Sequence, residues 1–62
     1  MFKPNDVVET INSEFDIELI PAGTKISLNK PNGSDFWYGY GEINGIERIL
    51  LVCTNNLRKV SD

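Results

Sequence analysis

The segment Phe36-Trp37-Tyr38-Gly39-Tyr40-Gly41-Glu42-Ile43-Asn44-Gly45 constrains this chain more than any other. Aromatic and small residues alternate there with the two-residue period of a β-strand. An Asn-Gly pair between Ile43 and Ile46 then signals a two-residue hairpin, because a type I′ turn needs positive φ at both central positions. Alternation sets Phe36, Tyr38 and Tyr40 on one face and Trp37, Gly39 and Gly41 on the other. With Trp37 turned inward beside Ile43, the other three aromatics form an outward row. Such a row is either a contact patch or a surface that the N-terminal segment covers to finish the core.

The flanking sequence reads as more short strands. Residues 6–11 centre on Val7 and Val8. Asp6 and Glu9 would also suit a helical capping box, but Val7, Val8, Thr10 and Ile11 are β-branched and favour a strand. Asn12-Ser13 breaks it. Phe15, Ile17 and Leu19 alternate with Asp16 and Glu18, the pattern of a half-buried strand whose acids face solvent. A turn at Pro21-Ala22-Gly23 follows, then Ile26 and Leu28 alternating with Lys25 and Ser27. Residues 29–35 hold Pro31, Asn32 and Gly33 and read as the loop of a hairpin. After the Asn-Gly turn, residues 46–53 form a strand. Thr54-Asn55-Asn56 suits one 3₁₀ turn, residues 57–60 a last strand, and Ser61-Asp62 a frayed end.

Five or six short strands in 62 residues predict one all-β domain, a small barrel. A chain of this length buries only about 60% of the surface exposed when unfolded, so its core is small. Cys53 is the only cysteine, so no internal disulfide staples the fold, which matches a reducing, cytoplasmic setting. Its place at the end of the run Ile49-Leu50-Leu51-Val52-Cys53 reads as a small core residue. That run is too short to span a bilayer, and nothing reads as a signal peptide or membrane segment.

Several stretches resemble the Src-homology-3 family, over roughly residues 18–60. Glu18-Leu19 followed by Ala22-Gly23-Thr24-Lys25-Ile26-Ser27-Leu28 resembles its acidic-leucine pair, diverging turn and alternating strand. Asp35-Phe36-Trp37-Tyr38-Gly39 resembles its acidic-aromatic-aromatic strand, and Gly41-Glu42-Ile43-Asn44-Gly45 its glycine-acid-apolar hairpin. Thr54-Asn55-Asn56-Leu57 stands where that family has a 3₁₀ turn before its last strand. The resemblance implies a five- to six-stranded barrel of that kind and a ligand face built from loop acids and strand aromatics. Carried over residue by residue, Glu14, Asp16 and Glu18 supply the acids, and Phe36 or Tyr38 the aromatic wall. The family's N-terminal tyrosine motif is absent and Leu57 replaces a pocket tyrosine. The resemblance therefore favours a folded partner, or a peptide other than a PxxP ligand.

Composition narrows the chemistry. There is no histidine, so neither a Ser-His nor a Cys-His pair can form. Metal-ligand spacings and phosphate-cradling glycine loops are absent, and the reading is a non-enzymatic chain without metal or cofactor. The formal net charge of −3 opposes a general grip on nucleic acid, although Lys25, Lys30, Arg48, Arg58 and Lys59 would need only to gather beside the aromatics to stack and hold a single strand. Asp6, Glu9, Glu14, Asp16 and Glu18 crowd the N-terminal third and suit a partner with a basic patch. The expected role is thus protein binding through Phe36, Tyr38, Tyr40, Glu14, Asp16 and Glu18. A homodimer or a subunit of a larger complex is the structural alternative. Small size and acidity are also the attributes of small phage or bacterial proteins that bind and inhibit a host factor.

Overall fold

A computed structural model describes residues 1–60; the fraying expected at positions 61 and 62 lies outside the described residues. The chain is all-β. Its strands are β1 (Val7–Thr10), β2 (Glu14–Phe15), β3 (Leu19–Ile20), β4 (Lys25–Asn32), β5 (Phe36–Ile43), β6 (Ile46–Cys53) and β7 (Leu57–Lys59), with a 3₁₀ turn at Thr54–Asn56 before the last. Five strands form one antiparallel sheet in the order β6-β5-β4-β1-β7, and β2 and β3 form a separate two-stranded hairpin. The sheet curls around its own core without closing, since no ladder joins β6 to β7 among the described residues.

The curl follows from which residues point inward. Val8, Ile26, Leu28, Trp37, Ile43, Leu50, Val52 and Leu57 come from all five strands and make one buried cluster, joined by Ile20 of the hairpin. Trp37 keeps only 8% of its surface exposed, as the strand parity requires. The next inward positions are Gly39 and Gly41, and both are needed as glycine. A Cβ on Gly39 would strike Ile26 Cγ2 and stand 2.9 Å from the Ser27 carbonyl oxygen; one on Gly41 would stand 2.9 Å from Leu50 Cδ1. The Ile26 and Leu50 side chains thus fill the space that β5 leaves empty.

Turn chemistry sets the register. Asn44 (φ 53°) and Gly45 (φ 79°) both lie in the left-handed region, and Ile43 pairs with Ile46 across them, as a two-residue hairpin requires. Gly23 (φ 85°) sits in the turn in which the Thr24 amide donates to the Pro21 carbonyl at 3.3 Å. Buried Thr10 holds that turn: its hydroxyl donates to the Pro21 carbonyl at 2.8 Å and accepts the Thr24 amide at 3.1 Å.

Two stretches differ from the sequence expectation: residues 15–19 are not one strand, because the chain reverses between β2 and β3 so that Phe15 pairs with Leu19, and the loop expected at 29–35 begins later. Residues 29–32 belong to β4 and not to a loop, with a bulge between Leu28 and Lys30. Pro31 is tolerated because it faces Trp37, whose own backbone groups serve β6. The missing amide of Pro31 therefore points away from β5 and breaks no ladder bond.

The N-terminal segment is tied down by Asp6. Its Oδ2 accepts the Lys3 amide at 2.9 Å and lies 3.5 Å from the Lys59 ammonium. The Lys3 amide, helped by the Lys59 charge, holds the Asp6 carboxyl below its ordinary value against a smaller opposing effect of burial. A lowered folded-state value gives stability that is present above the unfolded value and lost as pH falls through the folded one. Asp6→Asn should therefore flatten the acid limb of stability below about pH 4, read as melting temperature against pH. Gly39→Ala should destabilise the domain by about 1–3 kcal/mol through overpacking against Ile26 and the Ser27 carbonyl, measured by urea unfolding. An unchanged midpoint would mean that β4 and β5 are not packed this closely.

Candidate functional site

The β5–β6 ladder decides what surrounds the aromatic row. Residues directly opposite share a face, so Phe36 stands beside Cys53, Tyr38 beside Leu51 and Tyr40 beside Ile49. On the other flank Asn32, Lys30 and Ser27 lie opposite Phe36, Tyr38 and Tyr40. Phe36 is 41% exposed, Tyr40 43% and Ile49 64%, while Tyr38 at the centre is half-buried. The Lys30 ammonium stands 5.9 Å from the Tyr38 ring centroid, within reach of a cation–π contact.

The N-terminal segment goes to the core side of the sheet. Phe2 packs against the buried cluster, and the Asn5 amide donates to the Leu28 carbonyl at 2.8 Å. With Trp37, Pro31 and Thr54, its first residues line a groove of about 810 Å³. Cys53 departs from its expected place. It is half-buried on the outer face opposite Phe36, because Val52 takes the core position next to it.

The β2–β3 hairpin inverts the expected pattern. Phe15, Ile17 and Leu19 were the expected inward residues, yet they are 74%, 87% and 55% exposed. Glu14, Asp16 and Glu18 turn toward the protein instead. The Cys53 amide donates to Glu14 Oε1 at 3.2 Å and the Leu51 amide to Asp16 Oδ2 at 3.3 Å. Arg48 Nε lies 3.0 Å from Glu18 Oε2. The physical reason is that β6 is an edge strand, and its alternate amides point away from β5 with no strand to receive them. The acids supply acceptors for that edge, and alternation then forces the apolar side chains of the hairpin outward. All three acids are half-buried and engaged within the chain.

Asn56 secures the arrangement. Its Nδ2 donates to Glu14 Oε2 at 2.7 Å and to the Asn12 carbonyl at 2.8 Å, and its Oδ1 accepts the Asn12 amide at 2.8 Å. Nothing local in the sequence separates Asn56 from Asn55, so this role was not legible there. The cations do not gather. Arg48 pairs with Glu18 beside β6, whereas Arg58 pairs with Glu9 and Lys59 with Asp6 at the far edge of the sheet. Among the described residues no group of three or more His, Cys, Asp or Glu is placed to hold a metal ion, and no helix is long and apolar enough to cross a membrane.

No protein-family model matches this chain, and no curated protein or solved structure shows significant similarity to it.

Removing the edge caps should be visible amide by amide. Asp16→Ala should speed hydrogen exchange at Leu51, and Glu14→Ala at Cys53, each destabilising the domain by about 1–2 kcal/mol. Exchange at the two amides that does not respond to these changes would show that the carboxylates do not cap them.

Proposed function

We propose that this protein is a non-enzymatic protein-interaction module, a barrel-like domain of the Src-homology-3 kind that binds a protein partner through the outer face of β5 and β6. One observation carries the reading. Phe36, Tyr38, Tyr40, Leu51 and Ile49 form a contiguous apolar and aromatic surface across one ladder, and the N-terminal segment packs on the opposite side. Exposed surfaces of this kind mark contact sites, and tyrosines suit them because the hydroxyl stays wet while the ring is covered. The placement of the turn at Gly23, the Asn44-Gly45 hairpin and the 3₁₀ turn before β7 supports the family resemblance.

The acids take a different part from the one the resemblance implied. Glu14 and Asp16 cap the edge of β6 and Glu18 pairs with Arg48, which leaves Glu47 beside the patch as a charge that steers a basic partner. The nucleic-acid reading loses support from the pairing of Arg48, Arg58 and Lys59 with acids on two distant edges.

Tyr40→Ala should weaken binding to a partner purified with the parent protein by about thirtyfold or more while leaving the melting temperature nearly unchanged. Isothermal calorimetry with a monomeric preparation reads the first and a thermal scan the second. Unchanged affinity would move the site off this face. A dimer in sedimentation that Tyr40→Ala dissolves would make the face a self-association surface.

A further inference from the structure

The match between the hairpin and β6 stops one step short. Glu14 takes the Cys53 amide and Asp16 the Leu51 amide, so each advance of two along the hairpin answers a retreat of two along β6. The hairpin reverses just after Asp16, where Phe15 pairs with Leu19 and the Asp16 amide donates to the Glu18 carbonyl, so no further acid follows that line to the amide of Ile49. Glu18 turns to the Arg48 guanidinium, and the Ile49 amide has no acceptor among the described residues. Alternation sends the backbone groups of Ile49 and Glu47 away from β5, in the same direction as those of Leu51 and Cys53. A cleft of about 360 Å³ opens at this point, walled by Ile17 and Ile49 and bordered by Asp16, Glu18, Glu47 and Arg48.

We infer that this cleft receives an extended, cationic segment of a partner protein, added as a further strand to the open edge of β6. The unpaired backbone of Glu47 and Ile49 offers a donor and an acceptor at each residue, a pattern that another extended backbone satisfies in register. Ile17 and Ile49 accept an apolar side chain between them. Charge selects the sign of the occupant: three carboxylates stand against one guanidinium, and Glu18 already neutralises it. A second copy of this chain is a poor occupant. Edge pairing about a two-fold axis would set Glu47 opposite Glu47 or Arg48 opposite Arg48. With the axis at Ile49, Glu47 would face Leu51, whose amide Asp16 already holds. The backbone groups it uses lie in the plane of the sheet and not on its face, although it shares the Ile49 side chain with the aromatic surface.

The test is a titration of the isotope-labelled protein with a capped hexapeptide of alternating lysine and valine, followed by amide chemical shifts. Saturable shifts should centre on Ile49 and Glu47. Two N-methylated analogues, each blocking one alternate set of peptide amides, should behave differently. One should bind like the parent peptide and the other about tenfold more weakly, because only one edge of the peptide faces β6. A glutamate-valine peptide should leave these amides unmoved. Ile49→Pro removes the receiving amide without touching the ladder to β5 and should weaken binding to a similar degree. Phe36→Ala, at the other end of the aromatic row opposite Cys53, should leave it unchanged, which separates this site from the aromatic face. Equal binding by both N-methylated analogues, or shifts with the glutamate peptide, would overturn strand addition, and neither result depends on any variant folding. A dimer that Ile49→Pro dissolves, in a protein that ignores the lysine peptide, would overturn it in favour of self-pairing.

Discussion

The close approach of β4 and β6 side chains to Gly39 and Gly41 is the constraint on which the rest of the structure depends. A five-stranded sheet of this length has too little apolar surface to pack against a second layer, so it must bend around its own inward side chains. Bending crowds the concave face, and most of all where β5 runs between β6 and β4. Two glycines there let Ile26 and Leu50 occupy the middle of the core, with Trp37 and Ile43 closing the ends of the same strand face. The outward aromatics follow from the same fact. A strand whose inward positions are surrendered to its neighbours places its large side chains on the other face.

The second constraint is the edge of β6. A curled sheet that does not close leaves two edges, and an open edge invites pairing with other chains. At β7 the sheet ends in short, charged Arg58 and Lys59, paired with acids of β1 and the residue before it. At β6 the chain uses carboxylates in place of a strand. Two of the three acids of the hairpin reach edge amides, and the third pairs with Arg48. Among the described residues the protection is therefore graded along β6, with acceptors for the Cys53 and Leu51 amides and none for that of Ile49. That gradient, more than any single residue, separates a covered edge from a usable one.

Much of the fold was legible because its signals are local. The period of two in residues 36–43, the Asn-Gly pair and the run 46–53 each specify their own backbone geometry, and the observed strands and parity agree with them. Two misreadings share one cause. Phe15-Asp16-Ile17-Glu18-Leu19 carries the alternation of one amphipathic strand, yet the chain reverses within it, and the side that turns inward is set by a distant edge that needs acceptors. Pro31 reads as a loop residue until it is known which side of β4 its missing amide faces. Periodicity states that two faces differ; only the tertiary neighbours state which of them is buried. Likewise Phe36, Tyr38 and Tyr40 were legible as an outward row, whereas their continuation into Leu51 and Ile49 required the register of β6.

So small a domain carries its outer aromatic face without spending core residues on it. With stability of only several kcal/mol, a protein cannot spare core residues for contact. Here each long strand carries both duties on opposite faces: Trp37 and Ile43 build the core from β5 while Phe36 and Tyr40 remain on its outside, and Leu50 and Val52 do the same for β6 beside Ile49. The two sets are interleaved in sequence but separated by the thickness of the sheet, so changes on the outer face need not disturb packing. The arrangement holds only while the register holds, because a slip of one residue would carry the aromatics inward and the glycines out. The tight Asn44-Gly45 turn prevents that slip, and in doing so it protects the outer aromatic face as much as the fold.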